Sequence, residues 1–342
     1  MLGNELVTID AETLMATPFE KTMFIVEGLI PQGVGILCGS SKIGKSWLML
    51  WLGLQVAQGN PVWDSPTLAC DVLYLCLEDT YNRIQNRLYY LTEEAPENLR
   101  FAVISEQLGG GLEEQITTFL KKYPNTKFVI IDTLQKIRNT KAASGKNGMY
   151  GDDYDDICAL KSIADEKNIS IMLVHHLRKT KDSDDPFNQI SGSTGITGAV
   201  DTAYLLKRTT ATSDTATLTA KGRDIEMQQL KLRFEERVWE LTEKKSEEEI
   251  KNEAIPPFLF RLVNFVKSRQ EWTGTATELV EAMCETEVNH ISVTRLISHF
   301  YYDILVPMGV TYDTKRTGSK RLIMLKFNEK NDGNDRNDSC DS

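Results

Sequence analysis

Between residues 33 and 240 the chain alternates short, nearly continuous apolar runs with longer stretches whose apolar residues recur at helical spacing. The runs cover residues 34–37, 72–77, 101–104, 128–131, 169–174, 199–206 and 215–220. Strands apolar at every position are buried on both faces, so the pattern predicts an α/β domain built on a mostly parallel central sheet. The last run is Thr-rich and alternates, and is expected at an edge. Residues 243–253 are charged and of mixed sign, closed by Pro256-Pro257, which reads as a linker or a solvated helix. A compact segment follows, with helices expected at 258–268, 277–283 and 293–304 and a hairpin through 310–325. The expected organisation is an α/β domain over residues 1–242, a linker over 243–256, a small domain over 257–327, and a disordered tail over 328–342, where Asn, Asp, Gly, Lys and Ser leave almost nothing apolar.

The 342 residues carry a formal charge of −10, which argues against a uniformly basic nucleic-acid binder and confines any such contact to particular segments. Six cysteines, Cys38, Cys70, Cys76, Cys158, Cys284 and Cys340, show no C-x-x-C spacing, so neither a disulfide framework nor a zinc site is expected. No apolar run approaches membrane-spanning length and the first residues lack a signal-peptide layout; a cytoplasmic protein without membrane contact is expected.

Chemistry is concentrated at strand ends. Gly39-Ser40-Ser41-Lys42-Ile43-Gly44-Lys45-Ser46 is a complete G-x-x-x-x-G-K-[ST] loop between the run ending at Cys38 and a helical pattern beginning at Trp47. Strand, loop and helix in that order aim backbone N–H groups at phosphates; Lys45 is expected on the β and γ phosphates of ATP, and Ser46 on Mg²⁺. Phe128-Val129-Ile130-Ile131-Asp132 ends a strand in a carboxylate suited to supporting the Mg²⁺. Val72 to Leu77 ends in Glu78 and Asp79; Glu78 is assigned as the base that orients and deprotonates water, and Asp79 as the better helix cap. His175 and His176 end a third run, with His176 preferred as the group that senses the γ-phosphate.

Together these motifs resemble the RecA-like P-loop ATPases, most closely the RepA-type hexameric replicative helicases of plasmids and mobile elements. The resemblance spans residues 15–242 and rests on Gly28-Leu29-Ile30-Pro31-Gln32-Gly33, Leu75-Cys76-Leu77-Glu78-Asp79, Ile131-Asp132-Thr133-Leu134, His175-His176-Leu177-Arg178-Lys179 and Ser191-Gly192-Ser193-Thr194-Gly195-Ile196-Thr197-Gly198-Ala199-Val200-Asp201. It implies that Glu78 is the catalytic glutamate, Asp132 the metal-supporting acid and His176 the sensor. Lys221-Gly222-Arg223 resembles the K-x-R element with which related rings reach a neighbour's γ-phosphate, which implies a homo-oligomeric, hexameric ring with shared sites.

Two loops are expected beyond Asp132 and His176. Residues 136–150 hold Lys136, Arg138, Lys141 and Lys146, and residues 178–193 hold Arg178 and Lys179. In the family the corresponding loops line the central channel, so these side chains resemble single-stranded DNA contacts. The C-terminal segment looks like a winged helix, a fold that binds double-stranded DNA or docks other proteins; Lys315, Arg316, Lys320 and Arg321 at the wing favour DNA. The expected activity is ATP-driven translocation or unwinding. An ATP-gated helicase loader or replication regulator, and a small-molecule kinase using the same loop, are the other classes open to this sequence; projecting loops and a basic wing disfavour the kinase.

Overall fold

The computed structural model describes residues 6, 8–19, 21–138, 148–177, 187, 190, 194–210, 212–318 and 320–328. The chain forms two compact units, residues 1–250 and 251–342.

The first unit opens with the exposed helix α1 (Ala11–Ala16), capped by the Asp10 carboxylate, and a small antiparallel pair, β1 (Phe24–Val26) and β2 (Ile30–Pro31). Then follow β3 (Gly33–Gly39), α2 (Lys45–Gln58), β4 (Asp71–Cys76), α3 (Tyr81–Leu91), β5 (Leu99–Ala102), α4 (Leu112–Lys122), β6 (Thr126–Asp132), α5 (Leu134–Ile137), α6 (Gly148–Lys167) and β7 (Ser170–His176). The unit continues through α7 (Thr194–Ala199), β8 (Thr202–Arg208), β9 (Thr215–Gly222), β10 (Gln228–Glu235), β11 (Val238–Ser246) and α8 (Glu247–Ala254), which crosses the boundary.

Nine strands form one sheet in the order β11-β10-β9-β8-β3-β7-β6-β4-β5. From β8 to β5 all neighbours are parallel, while β9, β10 and β11 are added antiparallel. Side-chain alternation sorts the strands into two cores. Leu37, Val72, Tyr74, Phe128, Ile130 and Val174 pack with α2 on one face; Ile36, Leu73, Leu75, Val129, Ile131 and Leu173 pack with residues of α4 and α6 on the other. Each such side chain, fully removed from water, contributes on the order of 1.5–3 kcal/mol before entropy is charged against it.

Several expectations are corrected. The Thr-rich strand β9 is not an edge: β10 and β11 lie beyond it, and its alternation reflects an antiparallel extension in which Ala216, Leu218 and Ala220 face the core. The strand expected at 101–104 begins at Leu99, where it pairs with Val72, and Ile104 lies beyond its end at 85 % exposure. Residue 199 ends α7, and its strand begins at Thr202. Of the two readings for residues 243–253, the solvated helix is the one found: β11 runs to Ser246 and α8 follows.

The second unit carries α9 (Pro257–Arg269), β12 (Glu271–Gly274), α10 (Ala276–Ala282), α11 (His290–His299), a single π-helical turn (Tyr301–Leu305), β13 (Val310–Thr317) and β14 (Lys320–Phe327). Its antiparallel sheet has the order β12-β14-β13. Phe258, Leu262, Val266, Leu279, Val293, Ile297, Ile323 and Leu325 form its core. Thr275 and Glu278 build a reciprocal capping box on α10, and Asn289 caps α11. The helix expected to run to residue 304 turns π-helical after His299. β12 is an addition to the expected elements, and the hairpin strands extend through the basic residues assigned to its turn. Asn328 is the only described residue of the expected tail.

Candidate active site

Parallel order brings four strand ends together at one rim, the crevice where open α/β sheets bind ligands. β3 lies between β7 and β8, with Gly39 level with His176; β6 follows β7, and β4 follows β6 with Cys76 level with Asp132. Residues from four distant segments thus converge above the loop joining β3 to α2.

The loop keeps close to its surroundings at two glycines. A Cβ on Gly39 would stand 2.9 Å from the Leu206 carbonyl oxygen. Gly44 holds φ +110°, and a Cβ there would stand 3.0 Å from Trp239 Nε1. The Trp239 indole N–H donates to the Gly44 carbonyl at 3.3 Å, so β11 buttresses the loop from below. No side chain caps α2, which leaves its first-turn N–H groups for an anion.

Lys45 is 5 % exposed, and its Nζ donates to the carbonyls of Gly39 at 2.8 Å and Ser40 at 3.0 Å and lies 3.3 Å from His176 Nδ1. Burial pulls its pKa below the usual lysine value, opposed by the Asp132 carboxylate first and by Glu78. His176 is likewise held below the usual imidazole value, by burial first and then by the Lys45 charge, so it is neutral around physiological pH. His175 is buried one residue earlier on the strand.

Asp132 is buried, and burial pushes its pKa up while hydrogen bonds from Ser46 and Tyr74 pull it down. The Tyr74 hydroxyl donates to Asp132 Oδ2 at 3.1 Å. Glu78 is exposed just beyond β4, its Oε1 accepting from the Thr133 hydroxyl at 3.4 Å. Asp79 does not cap α3; Thr80 does, accepting from the Arg83 N–H. Arg83 at 2.8 Å and Arg87 at 2.5 Å hold the Asp79 carboxylate instead.

This donor set fits a nucleoside triphosphate with a divalent cation. Loop N–H groups and a buried ammonium suit phosphates, and the Ser46 hydroxyl beside the Asp132 carboxylate offers the hard oxygens that Mg²⁺ takes together with phosphate oxygens. Among the described residues no group of three or more His, Cys, Asp or Glu side chains is arranged for a metal ion.

Other predicted residues lie elsewhere. Lys221 pairs with Ala203 and Gly222 with Thr202, while Gly39 pairs with Leu206, so Lys221 and Arg223 are three and five residues, roughly 10 and 17 Å, down the sheet from their own loop. Arg223 meets Asp201 at 3.3 Å, and the Lys221 ammonium lies 4.3 Å from the Phe187 ring centre. Asp201 is buried, takes Lys161 at 2.5 Å and accepts from the Val34 N–H at 3.0 Å. Lys136 is exposed on α5, and Arg138 Nε lies 3.3 Å from an Asp156 carboxylate oxygen on α6. Lys141, Lys146, Arg178 and Lys179 lie outside the described residues. Among the described residues no helix is long and apolar enough to cross a membrane.

Sequence reasoning missed Tyr74, Thr133, Trp239 and Asp201 as parts of these arrangements. Tyr74 left a signal, a hydroxyl inside an otherwise apolar strand, which needs a partner when buried. Trp239 left none, because its partner is 195 residues away.

The AAA domain family matches residues 5–182, just over half of the chain. No curated protein matches the sequence. Among solved structures, one described as an isolated ATPase domain superposes with a TM-score of 0.51 at 14 % identity, covering 62 % of this chain and 85 % of that one. A DnaB-like replicative helicase, described with its primase interactions, also gives a TM-score of 0.51 at 14 % identity, covering 68 % of this chain and 66 % of that one. At such identities the likeness shows the fold alone, an α/β domain with a large, mostly parallel sheet.

Proposed function

The chain belongs to the AAA domain family, and from that premise we propose that it is an ATP-hydrolysing, ring-forming DNA motor, a replicative helicase of a plasmid or mobile element. The observation that carries the reading is the convergence of Lys45, Ser46, Asp132, Glu78 and His176 at the carboxyl rim of one sheet. Bound Mg²⁺·ATP supplies an electrophilic γ-phosphorus and a good leaving group. The loop N–H groups and Lys45 hold the phosphates, and the carbonyls of Gly39 and Ser40 fix the Lys45 ammonium in place beforehand. Ser46 and Asp132 hold the cation, Tyr74 setting the orientation of the Asp132 carboxylate. Glu78, exposed at the strand tip and steadied by Thr133, orients a water and takes its proton. Neutral His176, beside Lys45, donates to or accepts from the γ-phosphate side without adding charge.

Arg223 serves the site of an adjoining copy in a hexameric ring, and Lys136, with the lysines and arginines of the two loops, contacts single-stranded DNA in the channel. Residues 257–327 of the second unit are a winged helix that binds duplex DNA, a reading supported by the order of three helices, the short strand β12 and the hairpin β13–β14. A soluble, cytoplasmic protein fits this role.

The test separates binding from chemistry. Lys45→Ala should lose most affinity for a fluorescent ATP analogue and all phosphate release. Glu78→Gln should keep the affinity and lose turnover by about 10²- to 10⁴-fold. Glu78→Gln protein that releases phosphate at the wild-type rate refutes the assignment of the base.

A further inference from the structure

On the reading that the second unit binds DNA, we propose that its hairpin grips the duplex backbone with one face alone, through a fork made by Arg316 and Arg321, while Lys315 and Lys320 make no DNA contact. The strand register fixes the faces. Arg316 stands directly opposite Arg321, Lys315 opposite Leu322 and Thr317 opposite Lys320. Side chains alternate along each strand, so Val310, Tyr312, Thr314 and Arg316 share a face with Leu325, Ile323 and Arg321, and Lys315 and Lys320 share the other.

The arginine face is the one turned toward the helices. Val310, Ile323 and Leu325 on it are buried in the unit's core, and the Ser298 hydroxyl of α11 lies 3.4 Å from the Tyr312 hydroxyl. Continuing past Tyr312 toward the tip, this face leaves the core, with Thr314 half-buried, Arg316 and Arg321 exposed, and no carboxylate among the three. Arg321 Nη2 donates to Thr314 Oγ1 at 3.4 Å. Like charges directly opposite on one face, with Cβ atoms only about 4.5–5.5 Å apart, destabilise a hairpin. An anion between them reverses the sign, and two guanidinium groups side by side match the oxygens of a phosphodiester.

The other face is electrostatically compensated. Asp313 shares it two residues from Lys315. Lys320 is close enough to Glu278, at the start of α10, that its charge assists the Thr275 N–H and hydroxyl in keeping that carboxyl below its usual range.

The test is fluorescence anisotropy of the full chain with a labelled duplex, without nucleotide, over a salt series. Arg316→Ala/Arg321→Ala should weaken binding and flatten the slope of log affinity against log salt by about two units, since each phosphate contact contributes about 0.9. Lys315→Ala/Lys320→Ala should leave affinity and slope within error of the wild type. A lysine pair that flattens the slope as much as the arginine pair overturns the one-faced grip while leaving the DNA-binding reading in place. If neither pair changes the slope, the DNA-binding reading falls, and the fork with it.

Discussion

Replacing Tyr74 by Phe isolates the support given to Asp132, the acid proposed to hold the metal. The ring is buried and its hydroxyl donates to Asp132 Oδ2 at 3.1 Å, so the substitution keeps the packed volume and deletes one donor. A hydrogen bond to an ionised partner contributes about 1.5–3 kcal/mol, and one to a neutral acid about 0.5–1.5. Burial already raises the Asp132 pKa, which means the folded chain binds this proton more tightly than the unfolded chain does. The cost of ionising Asp132 is therefore absent below the unfolded value near 3.9 and is met in full once pH exceeds the folded value. Without the phenol the folded value climbs further, by about one unit for each 1.4 kcal/mol lost. Urea unfolding of the nucleotide-free protein should thus show Tyr74→Phe destabilised by about 2 kcal/mol well above the folded pKa, with the deficit shrinking to about 1 kcal/mol as pH falls and Asp132 takes up its proton. The Mg²⁺ dependence of ATP turnover should shift to higher pH in parallel, because only the carboxylate supports the cation. A deficit independent of pH would refute the coupling between the phenol and the Asp132 charge.

Arg223→Ala should leave ATP affinity nearly intact and cut turnover by about 10³-fold or more, as expected of an arginine supplied to a neighbouring site; mixing it with Glu78→Gln should restore part of the activity. No rescue in confirmed mixed oligomers would count against shared sites. Gly44→Ala should lower thermal stability by the equivalent of about 1–3 kcal/mol and weaken ATP binding, because an alanine at φ +110° is strained and its methyl meets the Trp239 indole. An unchanged melting temperature and affinity would show that the loop relaxes freely away from β11.

What was legible in the sequence was local. The phosphate loop is eight consecutive residues, and the strands that aim Asp132, Glu78 and His176 are buried on both faces, so their continuous apolar character announces them. β10 and β11 escape such reading because one face meets solvent: Leu230, Leu232 and Phe234 alternate with Lys231, Arg233 and Glu235, and the charges mask the strand. The same masking makes the basic ends of β13 and β14 look like a turn. The choice between Asp79 and Thr80 as the α3 cap is decided one and two turns along, where Arg83 and Arg87 draw the Asp79 carboxylate away. Contacts joining Trp239 to Gly44, or Asp201 to Val34, depend on which strands become neighbours, and no local pattern encodes that.

The strand ladder also bears on the proposal that the K-x-R element serves a second copy of the chain. Gly39 is level with Leu206, and Arg223 follows the residue level with Thr202, so five residues, about 17 Å of sheet, separate the arginine from its own loop, more than an arginine side chain spans. The guanidinium is moreover drawn to Asp201, whose carboxylate also accepts the Val34 N–H at the start of β3, the strand that ends in the phosphate loop. Asp201 therefore ties Arg223 to the frame of one site at both ends, its carbonyl accepting the Arg223 N–H at 3.0 Å and its carboxylate meeting the exposed guanidinium at 3.3 Å, a contact the guanidinium exchanges when it serves another site. Loss of turnover in Arg223→Ala can also arise within one subunit, through Asp201 and the Val34 N–H it accepts, so complementation by Glu78→Gln is the measurement that converts the distance into a statement about assembly.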